Sequence, residues 1–76
     1  MTYTAALSEI RTEYLNATAV YPKFNSPHEG LAVIEEEFLE LRNEVFLNHK
    51  RRSINRMRAE AVQVAAITIR FLEDCT

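Results

Sequence analysis

The chain has 76 residues, 47% of them apolar and 26% charged, with one glycine and two prolines. That composition is globular and helix-rich, and it excludes a disordered chain. The formal net charge of −2 argues against general nucleic-acid binding, no apolar run approaches the ~20 residues of a membrane span, and a lone cysteine, Cys75, cannot form an internal disulfide.

The expectation is therefore one domain over residues 1–76, cytoplasmic, without a membrane anchor. The start, Met1-Thr-Tyr-Thr-Ala-Ala-Leu-Ser-Glu9, has neither the basic nor the long apolar region of a signal peptide. Single domains of this size rarely net more than roughly 3–5 kcal/mol without a disulfide, a metal or a partner subunit. A metal, oligomerisation or both are the expected supplements.

Three helices and no strand are predicted. The first runs from about Thr4 to Thr18, with Tyr3, Leu7, Ile10, Tyr14 and Ala17 forming one apolar stripe. It ends before a loop, Tyr21-Pro-Lys-Phe-Asn-Ser-Pro27. The second helix starts at an N-cap, Ser26, with Pro27 in the first helical position and Glu29 completing a capping box. Leu31, Ile34, Phe38, Leu41 and Val45 mark its predicted buried face. Gly30, in its first turn, costs about 1 kcal/mol relative to alanine; either it permits close packing of another backbone or it is incidental.

A polar turn, Asn48-His-Lys-Arg-Arg-Ser53, leads into a third helix from about Ser53 to Glu73. The second half of that helix is apolar nearly all round, which predicts contact with more than one neighbour. The fold class is all-α: a helical hairpin plus a leading helix, completed as a four-helix-type bundle by a homodimer or tetramer.

The charges are unevenly spread. Residues 29–44 contain six glutamates and one arginine, whereas Lys50, Arg51, Arg52, Arg56 and Arg58 crowd the next turn. Glu36, Glu40 and Glu44 are i,i+4 neighbours, and Glu37 and Glu40 are i,i+3 neighbours; each like-charge pair costs roughly 0.2–0.5 kcal/mol. Something positive must face this stripe, a divalent metal or an arginine.

With the turn centred near residue 50, antiparallel register sets Glu40 level with Glu60, Glu36 or Glu37 level with Gln63, and Glu44 level with Arg56. Two carboxylates facing each other need a shared proton or a cation. Converging oxygens there would suit Mg²⁺. The competing reading is a solvated lattice in which Arg52 and Arg56 pair with the glutamates.

The segment Asn25-Ser-Pro-His-Glu-Gly-Leu-Ala-Val-Ile-Glu-Glu-Glu-Phe-Leu-Glu-Leu41, followed by Glu60-Ala-Val-Gln-Val-Ala-Ala-Ile67, resembles the MazG family of all-α nucleoside triphosphate pyrophosphohydrolases. The likeness is to its small phage and mobile-element members, and it covers about residues 10–73. The family pattern, Glu-Glu-x-x-Glu then Glu-x-x-Asp, falls on Glu36, Glu37, Glu40, Glu60 and Gln63.

The resemblance implies Mg²⁺, with Mn²⁺ as an alternative, held by Glu37, Glu40, Glu60 and Gln63. Glu36 is then a further ligand or the base that orients water. It implies hydrolysis of a (deoxy)nucleoside triphosphate to monophosphate and pyrophosphate, in nucleotide-pool control. Gln63 departs from the family aspartate, because an amide oxygen can ligate Mg²⁺ but carries no charge.

Arg56, Arg52 and His28 are candidate substrate contacts, the arginines through phosphates, and Tyr21 and Phe24 could stack on a base. Two other readings stand beside this one. The first is an inactive oligomeric helical module that keeps the fold. The second is a small nucleic-acid-binding regulator working through the Lys50–Arg58 cluster, which the acidic stripe opposes.

Overall fold

The computed structural model describes residues 1–76. Three helices follow one another: α1 (Tyr3–Val20), α2 (Pro27–Val45) and α3 (Ile54–Cys75). No residue is in a strand, and no helix is long and apolar enough to cross a membrane.

Each helix begins on a hydroxyl cap, which satisfies one of the free N–H groups of its first turn. Thr2 Oγ1 accepts from Ala5 N at 3.1 Å, Ser26 Oγ from Glu29 N at 3.1 Å, and Ser53 Oγ from Arg56 N at 3.2 Å. The Thr2 cap starts α1 one residue earlier than its apolar pattern predicts, and the helix runs two residues further, to Val20, where Tyr21 N donates to Ala17 O at 2.8 Å. The capping box at Ser26 is also modified. Glu29 reaches one residue further back, accepting from Asn25 N at 3.4 Å and from Asn25 Nδ2 at 2.9 Å.

Packing centres on α3, which lies against both α1 and α2, while α1 and α2 do not meet. This answers the all-round apolar character of α3 with two neighbours in the same chain. The core is thin: only five residues are buried, Ala17, Gly30, Ala66, Ile67 and Arg70. The radius of gyration is 13.1 Å, against about 11 Å for a compact domain of this length.

The buried face of α2 differs from the expected one. Ile34 and Leu41 turn partly inward, but Leu31, Phe38 and Val45 are exposed, Phe38 by 52%. The face toward α3 carries Gly30, Val33, Glu37 and Glu44. Similarly on α1, Tyr3 and Leu7 are exposed while Glu9 and Glu13 turn inward beside Ile10 and Tyr14. The interior is therefore lined with glutamates, and much of the apolar surface points outward.

Gly30 meets aromatic rings where close packing of another backbone was one expectation. A Cβ built there would lie 2.7 Å from Phe71 Cδ2 and 3.2 Å from Phe24 Cδ2.

The end of α3 also ties down the α1–α2 loop. Arg70 Nη2 donates to Pro22 O at 2.7 Å and Tyr21 O at 3.4 Å, and Asp74 Oδ2 accepts from Phe24 N at 3.0 Å. The Cys75 thiol donates weakly to Ser26 O at 3.7 Å.

A candidate carboxylate metal centre

Glu37 and Glu40 come from consecutive turns of α2, and Glu60 comes from the first half of α3. One carboxylate oxygen from each lies within 4.8 Å of the others. The hairpin register predicted this meeting, because Glu40 faces Glu60 across antiparallel helices. Glu37 Oε2 and Glu60 Oε2 are sealed from solvent and have no hydrogen-bond partner. Sealed, unpartnered carboxylate oxygens are costly, and a cation held among the three carboxylates would offset that cost.

The electrostatics carry the same signature. Burial, with the charges of Glu40 and Glu60 close by, pushes the Glu37 carboxyl up to about 6. Burial and a contact with Glu40 likewise raise Glu60. In both, the charged form is disfavoured because no positive group compensates it.

For Glu37 the sign follows directly. Its proton is held more tightly in the fold than at the ordinary 4.5, so stability from this group is complete below about pH 4.5 and is lost as the pH rises through about 6. The loss is about 1 kcal/mol, allowing for its half-buried position. Thermal unfolding in EDTA at about pH 5 and about pH 7.5 is expected to show this slope for the native chain and a flatter one for Glu37→Gln. Equal slopes would mean that Glu37 is not perturbed.

Next to the carboxylates is a cavity of about 440 Å³ between all three helices and the α1–α2 loop. Its lining mixes acidic side chains, Glu36 and Glu37 among them, and Gln63 with the apolar Tyr21, Phe24, Val33 and Ile67. Gln63 thus lies level with Glu36 and Glu37, as the register predicts. Tyr21 and Phe24 both reach the wall.

The candidate phosphate contacts do not join this group. Arg56 Nε is held by Glu44 Oε2 at 2.9 Å, the pair expected from register, and its Nη2 donates to Arg51 O at 2.7 Å. Arg52 and His28 are exposed and line no cavity. The backbone N of Lys50 donates to Asn48 Oδ1 at 3.1 Å within the turn, and its side chain is exposed.

Three residues near the site have no counterpart in the sequence-derived set. Glu13 of α1 lines the same cavity as Gln63, and Glu9, one turn earlier, has a sealed Oε2 without a partner. Both fall on the face of α1 whose apolar residues only partly define it, and an inward glutamate gives no periodic signal. Arg70, only 4% exposed, lines the cavity from α3. Its spacing could have indicated it, because Glu60, Gln63, Ile67 and Arg70 recur at i, i+3, i+7 and i+10 on one helix face.

Compared with protein-family models, curated proteins and solved structures, the chain matches none.

Proposed function

We propose that the chain is a MazG-like, Mg²⁺-dependent nucleoside triphosphate pyrophosphohydrolase of the cytoplasm. The observation that carries this reading is the convergence of Glu37, Glu40 and Glu60 within 4.8 Å, with two sealed oxygens lacking any partner. The resemblance of residues 25–41 and 60–67 to the family pattern supports it. So does the adjoining cavity, whose lining combines glutamates with aromatic and aliphatic side chains.

In this reading Glu37, Glu40 and Glu60 hold the metal, and Gln63 adds a neutral oxygen. Mg²⁺ bound there would neutralise triphosphate charge and acidify a water. Glu36, on the cavity wall, orients the attacking water and accepts its proton. The water oxygen forms a bond to the α-phosphorus, the α–β anhydride bond breaks, and pyrophosphate leaves. Without a cation the glutamates would repel the substrate, so the chemistry is silent in its absence.

The same reading takes the chain as a homodimer or tetramer. Leu31, Phe38 and Val45 recur at i, i+7 and i+14 along α2, and all three are exposed. A second copy laid along that stripe would complete a four-helix bundle and bury what one chain leaves open.

Pyrophosphate release from a panel of canonical and modified ribo- and deoxynucleoside triphosphates tests the proposal. Release is expected with Mg²⁺, absent in EDTA, and reduced at least about 100-fold in Glu40→Gln. Silence across the panel, from folded protein of more than monomeric mass, would favour the non-catalytic helical module. The Glu44–Arg56 pair at 2.9 Å shows that part of this glutamate stripe is already used structurally.

A further inference from the structure

Arg70 is the most buried charged side chain, at 4% exposure, yet no carboxylate pairs with it. A buried charge is ordinarily paired. Here its neutralisation is partial: Nη2 donates to the carbonyls of Tyr21 and Pro22, and the guanidinium lies 5.0 Å from the centroid of the Phe24 ring. Only one of its three nitrogens has protein acceptors; the residue lines the cavity beside Phe24 and Ile67 and, on its other side, a smaller one with Glu73 and Asp74, neither of which forms an ion pair with it. This is a planar donor with capacity left over, set next to an aromatic face on the wall of a cleft.

The acceptor that fits is neutral. Glu13 and Glu29 line the same cavity, and a free anion would have to pass them. Position along α3 agrees. Arg70 lies seven residues beyond Gln63 on the same face, about 10 Å at the helical rise of about 1.5 Å per residue. A nucleotide whose phosphates sit at the glutamates would bring its base, rather than its phosphates, to that distance.

We infer that Arg70 donates to a ring carbonyl of the bound nucleobase, with Phe24 and Tyr21 providing apolar contact, so that the cavity selects oxo-bases (uracil, cytosine, thymine, guanine, hypoxanthine) over adenine. Adenine offers an exocyclic amine where hypoxanthine offers a carbonyl, and a guanidinium cannot accept a hydrogen bond from that amine. An adenine there sets donor against donor at that position and leaves the guanidinium only a ring nitrogen to donate to, a poorer match than a carbonyl. The assignment rests on the hydrolase reading only for which end of the nucleotide meets the glutamates.

Inosine and adenosine differ at that position and carry no phosphate, so they test base recognition without metal or catalysis. Titrations followed by NMR shifts of the Phe24, Ile67 and Arg70 signals, in EDTA, are expected to show inosine binding about 10-fold or more tightly than adenosine. Uridine and cytidine should group with inosine. Arg70→Met is expected to reduce the ratio to within about 2-fold, and Arg70→Lys, which keeps a charged donor for the loop, to lower it part-way.

Equal binding of inosine and adenosine by the native chain would overturn the inference. So would an unchanged ratio in folded Arg70→Lys, or no shift with any nucleoside. Discrimination without pyrophosphate release would keep the oxo-base pocket and remove the hydrolase. Release without discrimination would do the reverse.

Discussion

On the proposed hydrolase reading, a Glu60→Gln chain is expected to lose metal-dependent pyrophosphate release by more than about 100-fold and, in EDTA, to melt at a higher temperature than the native protein. Both effects come from one oxygen. Glu60 Oε2 is sealed without a partner and its carboxyl is raised by burial and by Glu40. A neutral amide removes the repulsion and can donate to the Glu40 carboxylate. Relief of one like-charge pair is worth about 0.5 kcal/mol, which in a domain this small shifts the midpoint by about 2–4 °C.

The native chain is expected to gain stability when Mg²⁺ or Mn²⁺ is added at neutral pH, through binding to the folded form alone. Glu60→Gln should lose most of that gain. Unfolding curves with EDTA and with each metal, beside the activity assay, separate the two terms. A variant that is destabilised in EDTA, or that keeps the full metal shift, would show that Glu60 has a structural role and is not a ligand.

The second large effect is expected at Gly30. Alanine there would gain about 1 kcal/mol of helix propensity, but its Cβ would stand 2.7 Å from Phe71 Cδ2 with Phe24 behind at 3.2 Å. Overpacking of this kind costs about 1–3 kcal/mol, so Gly30→Ala is expected to be net destabilising by about 1 kcal/mol. Gly30→Val, bulkier and a poorer helix former, should lose about 3 kcal/mol, most of what a domain of this size holds. Chemical denaturation would measure both. Combining Gly30→Ala with Phe71→Leu removes the ring that causes the clash and is expected to recover most of the loss. Failure of that rescue would place the strain elsewhere.

Local signals in the sequence were sufficient for the helices. Ser26 announces its cap, the i+4 repeats mark the helical segments, and a short turn implies an antiparallel pair. Register arithmetic about that turn was enough to bring Glu40 to Glu60 and Glu44 to Arg56, because both contacts depend only on loop length and helical rise.

What periodicity could not supply was which part of a wide apolar arc faces inward. On α2 the arc runs from Val33 to Phe38, and the face toward α3 is turned to its acidic edge, carrying Glu37 and Glu44 with it. The placement of α1 was equally illegible, since nothing local says that it packs on α3 alone. Glu9, Glu13 and the loop carbonyls that hold Arg70 all depend on that placement. Arg56 and Arg52 looked suited to phosphates by charge, but the turn and Glu44 account for Arg56, and Arg52 faces solvent.

Three helices that share one central member form a triangle with an open side. That side lies between α1 and α2, and the cavity occupies it, with Glu13 and Ala17 on one bank and Val33, Glu36 and Glu37 on the other. A molecule seated there would touch both outer helices at once and would supply the packing that the chain itself does not. Its occupant would in effect act as missing core, and saturation to about 100 times its dissociation constant would add about 2.7 kcal/mol to a fold that has little to spare.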